Sequence, residues 1–288
     1  MGGIFWKEGG VGARLNLLET NSDTINIMAG FIDRIKVWTE TKAVAEALAA
    51  AGQVLPSEKL TPDSVPHVVG AAGAAHTALS IDNVDCIEAA LALQAEGLNP
   101  VVLNLSDDRD AGGCVDLGSG AQEESIWRRT TLCATQLQSF YPLKCEAIYS
   151  PSVSVLRRPE REFYAWYAEA ERPVVSFIAC PAIKMPHWVA SPEEPDGDLK
   201  DRDKMELAKR LRLILRIAAA KGHDSVVLGA MGCGAWGNPP RAVARVFASV
   251  LPEFDGVFKK IVIAILSPPG GRSTIMGAFT SVFDAVLG

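Results

Sequence analysis

Two short segments hold the residues whose types and order could do chemistry. In the first, an apolar run from Val101 delivers Asn104, a loop carries Gly112, Gly113 and Cys114, and Gln122, Glu123 and Glu124 follow. Adjacent carboxylates can supply general acid and base functions. Paired glycines let a backbone approach a ligand closely and turn its amides toward an anion. The second segment, Val226 to Pro240, carries Gly232, Cys233, Gly234, Ala235, Trp236 and Gly237 ahead of Asn238 and two prolines. A glycine-rich turn between a strand and a helix wraps backbone amides on a pyrophosphate, with the helix N-terminus behind them. Each feature has an ordinary counterpart. Acidic residues suit the first turn of any helix, and a tryptophan in a tight loop is a natural packing residue. The order of strand, Asn, Gly-Gly and Gln-Glu-Glu is what singles out the first segment.

Placing such residues calls for alternating strands and helices. His76–Ile81 is expected as a strand, followed by a helix capped by Asp82 or Asn83 that buries Val84, Ile87, Leu91 and Ala95 and stops at Gly97. Val101–Leu105 has the continuous apolar character of a strand buried on both faces. Asn104 then falls near its C-terminal end, where open α/β sheets bind ligands. A helix is expected from Gln122 to about Gln136, with short strands at Ala147–Ser150 and Val153–Arg157 and another at Val174–Cys180. Asp201 is expected to cap a helix reaching Lys221, with Gly222 as its stop. Strands at Ser225–Ala230 and Lys260–Leu266 then alternate with helices at Pro239–Leu251 and Thr274–Leu287. Before all of these, Thr39–Ala51 is expected as a helix and Leu55–Pro66 as a linker. The pattern implies a mainly parallel or mixed sheet covered on both faces. It gives one α/β/α domain over residues 66–288 and a partly helical N-terminal extension over residues 1–65.

Bulk properties narrow the function. The 288 residues are 48% hydrophobic, enough for a full core, and the net charge of -6 argues against gripping a polyanion by bulk electrostatics. Phosphate recognition must therefore be local. The six cysteines form no C-x-x-C pair and the four histidines are scattered, so reduced thiols are expected and a zinc site is not. No apolar run is long enough to span a bilayer and Met1–Trp6 has no signal-like core, which points to an intracellular protein.

The glycine loop followed by Gln122-Glu123-Glu124 resembles the signature of poly(ADP-ribose) glycohydrolases, in which three glycines precede Gln-Glu-Glu by a short spacer. The second segment is similar to the Gly-Ala-Trp-Gly-Cys-Gly-Val-Phe-x-Asn-Pro-Pro stretch of the compact microbial and fungal members, with Met231 in place of that Trp and Trp236 in place of the Phe. Ile148–Pro151 and Ala179–Ala182 agree as well, and the likeness covers roughly residues 66–266. The resemblance implies a macrodomain-like three-layer α/β/α fold with a mixed central sheet, and cleavage of the ribose–ribose O-glycosidic bonds of poly(ADP-ribose). Glu124 would be the catalytic acid and Glu123 would orient ribose hydroxyls. Asn104, Gly112, Gly113, Cys114, Gln122, Gly232, Cys233, Gly234, Ala235 and Trp236 would line the substrate site. No metal and no cofactor is implied. The implied partners are poly(ADP-ribose), ADP-ribose and poly(ADP-ribosyl)ated proteins, met by a cytoplasmic or nuclear monomer with no membrane contact and no direct DNA binding.

The chain departs from the family pattern at Cys114, which stands where the third glycine is usual. A side chain there is penalised by about 1–2 kcal/mol at any positive φ. Asp107, Asp108 and Ala111 replace the family's small residue, Ser and Pro, and free carboxylates beside a pyrophosphate would weaken binding unless they face solvent. A helix N-terminus also favours a charged carboxylate, whereas an acid catalyst must hold a proton, so burial and like charge within the pair must supply the opposing push. If these departures were disabling, the chain would be an ADP-ribose-binding module with weak or no turnover. A nicotinamide oxidoreductase is a third alternative. It is disfavoured because Lys260–Leu266 runs into Ser267, where a ribose-binding acid would be wanted.

Overall fold

A computed structural model describes residues 32–68, 70, 75–190, 197–267 and 274–287. The expected extension therefore lies partly outside the described residues, over positions 1–31. The elements in chain order are α1 (Arg34–Ala50), β1 (Glu58–Leu60), β2 (Ala78–Asp82), α2 (Cys86–Ala95), β3 (Pro100–Asn104) and α3 (Gln122–Arg129). They continue with β4 (Ala147–Ser154), β5 (Val174–Ala179), β6 (Trp188–Val189), β7 (Asp198–Leu199) and α4 (Asp201–Ala220). The last are β8 (Ser225–Leu228), α5 (Pro240–Val250), β9 (Lys260–Ala264) and α6 (Thr274–Leu287).

Among the described residues, seven strands form one mixed sheet in the order β1-β4-β5-β3-β8-β9-β2. The five strands from β5 to β2 run parallel, while β4 and β1 are antiparallel additions at one side. Alternation along each strand sorts its side chains into two cores. Val101, Leu103, Val226, Leu228, Ile261 and Ile263 face one layer, packed with Leu211, Ile214 and Leu215 of α4, Val243 and Phe247 of α5, and Phe279 and Phe283 of α6. Val102, Val227 and Val262 face the other, with Trp38 of α1, Ile87 and Leu93 of α2, and Ile126 and Trp127 of α3. Each fully buried large apolar side chain contributes about 1.5–3 kcal/mol. The expected three-layer arrangement is the one observed.

Local chemistry moves several boundaries. The cap of α2 is Asp85, not Asp82 or Asn83, because Asp82 continues β2 and Asp85 accepts from Ile87 and Glu88 N–H. Ala147–Ser154 is one strand with a bulge between Ser150 and Val153 rather than two strands. Helix α3 stops at Arg129 because Thr130 is extended, and a 3-10 turn follows at Thr131–Ala134. Asp201 is the first residue of α4 and Lys200 holds the cap position. Helix α1 starts at Arg34, capped by Asp33. The expected linker contains β1, which pairs with β4 through Glu58 opposite Tyr149 and Leu60 opposite Ala147. Residues 33–288 form one compact unit, so α1 and β1 are part of its layers.

Candidate active site

Asn104 ends β3 fully buried, and neither Oδ1 nor Nδ2 has a partner among the described residues. The chain then turns at Ser106, whose N–H donates to Asn104 O at 2.9 Å. Among the described residues no side chain caps α3. Its first residue instead sews it to the strand, since Gln122 accepts from Leu105 N–H at 2.8 Å and donates to Leu103 O at 2.7 Å. Glu123 and Glu124 follow at 4% and 6% exposure. Glu123 Oε2 accepts from Asp107 N–H at 2.6 Å and Glu124 Oε1 from Cys114 N–H at 3.0 Å. The second oxygen of each, Glu123 Oε1 and Glu124 Oε2, is buried with no partner among the described residues. Burial pushes the Glu123 carboxyl up to about 8; the Asp107 amide opposes this, and the charges of Glu124 and Asp107 add to it.

The glycines serve the carboxylates directly. At Gly113, φ is +58°, and a Cβ would stand 2.8 Å from Glu124 Oε1 and 3.0 Å from Glu123 Oε2. At Gly112, φ is +82°, and a Cβ would meet the Trp127 indole at 2.6 Å. Two amides expected to face an anion are used within the protein, Gly113 N–H by Asp110 O and Cys114 N–H by Glu124. Cys114 itself has φ −98° and an exposed side chain, so the strain expected at the third glycine position is absent.

Helix α3 rests on buried cations. Arg129 Nη1 donates to both Asp85 oxygens at 2.9 Å, and Arg128 donates to Tyr164 Oη at 3.1 Å and Ser119 O at 2.5 Å. From α1, Thr41 Oγ1 donates to Arg128 O at 2.8 Å and Trp38 Nε1 to Asp116 Oδ1 at 2.6 Å, while the Trp38 and Trp127 rings lie 5.9 Å apart.

The loop after β8 is held mainly through its backbone. Gly232 and Gly237 have φ of +73° and +66°, and a Cβ on Gly232 would overlap the Asn238 side chain and reach Ala182 at 2.9 Å. Asn238 Nδ2 donates to Ile183 O at 2.7 Å and Gly232 O at 3.2 Å, and its N–H to Gly232 O at 3.0 Å. Gly234 and Ala235 are exposed, whereas Cys233 and Trp236 are half-buried and packed on the core. Burial pushes the Cys233 thiol up. Asp107 and Asp108 are not free charges turned to solvent, because Lys184 Nζ lies 3.1 Å and 3.5 Å from them. Burial alone would raise the Asp107 carboxyl, but the Arg109 amide and Lys184 outweigh it and hold it below its usual range.

Among the described residues, no group of His, Cys, Asp and Glu side chains is arranged to hold a metal ion, and no helix is long and apolar enough to cross a membrane. Residues 37–158 match the family model "Microbial-type PARG, catalytic domain". That stretch contains β3, the glycine loop and both glutamates. Over most of the chain the fold is similar to crystal structures of poly(ADP-ribose) glycohydrolase (PARG) from Thermomonospora curvata. One is matched at 26% identity and TM-score 0.71 over 87% of this chain and 99% of that one. Another, bound to the inhibitor ADP-HPD, is matched at 25% identity and TM-score 0.68 over 86% and 98%. The Deinococcus radiodurans PARG in complex with ADP-ribose shares the fold at 24% identity and TM-score 0.65, over 83% and 97%. No curated protein matches the chain significantly.

The PARG-type segment and the loop after β8 leave neighbouring strands at the same end of the sheet. The structure thus brings Asn104, Gly112, Gly113, Cys114, Gln122, Glu123 and Glu124 together, and places Gly232–Trp236 on the adjoining loop. Sequence reasoning missed Ser106, whose buried hydroxyl has no partner among the described residues, and Trp127, the plate under Gly112. Trp127 was findable as the residue one helical turn beyond Glu124. Lys184 lies 77 positions from Asp107 and carries no local signal.

Proposed function

We infer that this chain hydrolyses the ribose–ribose O-glycosidic bonds of poly(ADP-ribose) and releases ADP-ribose. The observation that carries the inference is the pair Glu123 and Glu124. Each has one oxygen fixed by a backbone amide and one buried with no partner among the described residues, at the end of the sheet where ligands enter. Glu124 protonates the glycosidic oxygen as the bond to the anomeric carbon breaks; as carboxylate it then takes a proton from the water that attacks that carbon. Glu123 keeps a proton at neutral pH and can donate it to a ribose hydroxyl or accept from one. Asn104, whose amide atoms have no partner among the described residues, fixes the distal ribose, and the Gly232–Trp236 loop lies along the pyrophosphate with Trp236 beside that ribose. The similarity to the two T. curvata PARG structures, one of them bound to ADP-HPD, supports the substrate class. Poly(ADP-ribosyl)ated proteins inside the cell are then the physiological targets, met by a monomer.

Chain length of automodified poly(ADP-ribose) polymerase, followed on a gel, tests this. Glu124→Gln is expected to lower hydrolysis by on the order of 10²–10⁴-fold while ADP-ribose affinity stays within a few-fold. ADP-ribose binding without turnover by the wild type would make the chain a binding module instead.

A further inference from the structure

Three loops leave the C-terminal ends of β5, β3 and β8, which are neighbours in the sheet. The loops after β5 and β8 are joined by Asn238 Nδ2 donating to Ile183 O and by Met185 N–H donating to Trp236 O at 3.2 Å. Lys184 extends this joined pair to the loop after β3. Its Nζ is 3.1 Å from Asp107 Oδ2, 3.5 Å from Asp108 Oδ1 and 5.3 Å from the centre of the Trp236 ring. Asp107 divides its carboxylate between two tasks. Oδ1 accepts from Arg109 and Asp110 N–H at 2.8 and 3.2 Å and shapes the turn, while Oδ2 faces Lys184. The Asp107 N–H in turn holds Glu123. Lys184 therefore stands one residue from the carboxylate pair on one side and over the loop tryptophan on the other.

We propose that Lys184 is a positioning residue, a cationic clasp that fixes the spacing between the carboxylate half of the site and the Trp236 loop. That spacing sets how tightly an ADP-ribose unit is gripped between the two halves, so the proposal rests on the substrate reading above. The Lys184 side chain is half-exposed, and an ion pair in that setting adds little to global stability. Its effect is expected in binding instead.

Titration calorimetry with ADP-ribose, together with KM and kcat on polymer, tests the clasp. Lys184→Met should weaken ADP-ribose binding and raise KM by about 3–10-fold, with kcat and the thermal midpoint nearly unchanged. Lys184→Arg should restore both, since a guanidinium can span the same partners. Asp107→Asn keeps Oδ1 for the turn and removes the charge facing Lys184. Combined with Asp108→Asn it should cost as much as Lys184→Met, and adding Lys184→Met to that pair should cost nothing more. Wild-type affinity in Lys184→Met, or a lowered thermal midpoint that accounts for its whole loss, overturns the clasp. Tighter binding in the double Asn variant also overturns it, by showing that Lys184 touches the ligand itself. Failure of the wild type to bind ADP-ribose sinks the substrate reading and the clasp with it; binding and turnover with no effect at Lys184 sinks the clasp alone.

Discussion

The carboxylate segment and the loop after β8 meet at the ends of adjacent strands, yet they are held by different means. The first is braced by buried side chains from far along the chain, with Arg129 on Asp85, Arg128 on Tyr164, and Thr41 and Trp38 reaching in from α1. The second keeps its shape through glycine dihedrals and one buried asparagine, with Gly234 and Ala235 left in the open. An acid catalyst must sit within tenths of an ångström of its target, and that precision needs packed neighbours. A pyrophosphate cradle needs only main-chain amides in the right curve.

Substitutions should separate the two regions. The largest effect is expected at Arg129→Met, which leaves Asp85 buried without its counter-charge; urea unfolding should show a loss of about 3–5 kcal/mol. A loss below about 1 kcal/mol would mean that the brace is ornamental and the two halves are alike. Next is Glu123→Gln. Between the ordinary glutamate value of 4.5 and about 8, native Glu123 holds a proton that the unfolded chain has released, so stability falls as pH rises through that window. The fixed neutral amide escapes this, and its unfolding free energy in urea should pull ahead of wild type from pH 5 to pH 9, by about 2–4 kcal/mol at the upper end. A difference that stays flat with pH contradicts the shift.

In the second region, Trp236→Ala should cost activity more than stability. A tenfold to hundredfold drop in kcat/KM on polymer, on the order expected for mispositioned substrate, should come with a small change in melting temperature, and Trp236→Phe should largely preserve function. Melting that falls far enough to explain the lost activity would return Trp236 to the core it packs against. The smallest effect is expected at Cys114→Gly. With φ at −98° there is no strain to relieve, so glycine should cost up to about 1 kcal/mol of stability and leave ADP-ribose affinity unimproved by calorimetry.

The contrast also explains what the sequence could disclose. Asn104, the two glycines and the glutamates sit within one strand–loop–helix unit, so their juxtaposition follows from local order. The fully apolar strands and the long helices announced themselves by composition and period, as β3 and α4 do. The cap of α2 was misplaced because Asp82, Asn83 and Asp85 compete for one role, and pairing of Asp82 with Ala264 in the sheet settles it. Strand β1 has three residues and no apolar alternation of its own, and only its partner β4 makes it a strand. Cys114 looked strained because a family glycine was equated with a positive φ. The braces of α3 were illegible because charge pairs such as Arg129 with Asp85 carry no mark of their distance in the sequence.

That distance has a kinetic side. Glu40 to Arg157 and Arg34 to Glu160 close loops of 117 and 126 positions. At ribosomal rates of about 5–20 residues per second, α1 waits roughly 6–25 s for its docking partners to be made. Trp38, buried in the finished protein, likewise cannot lie against Trp127 until that later residue has been made. Contacts of such long reach are slow to form and come after local helices and turns. The base of the carboxylate helix is therefore expected to set late, and a nascent chain would gain its catalytic geometry in one step near the end of folding rather than by degrees.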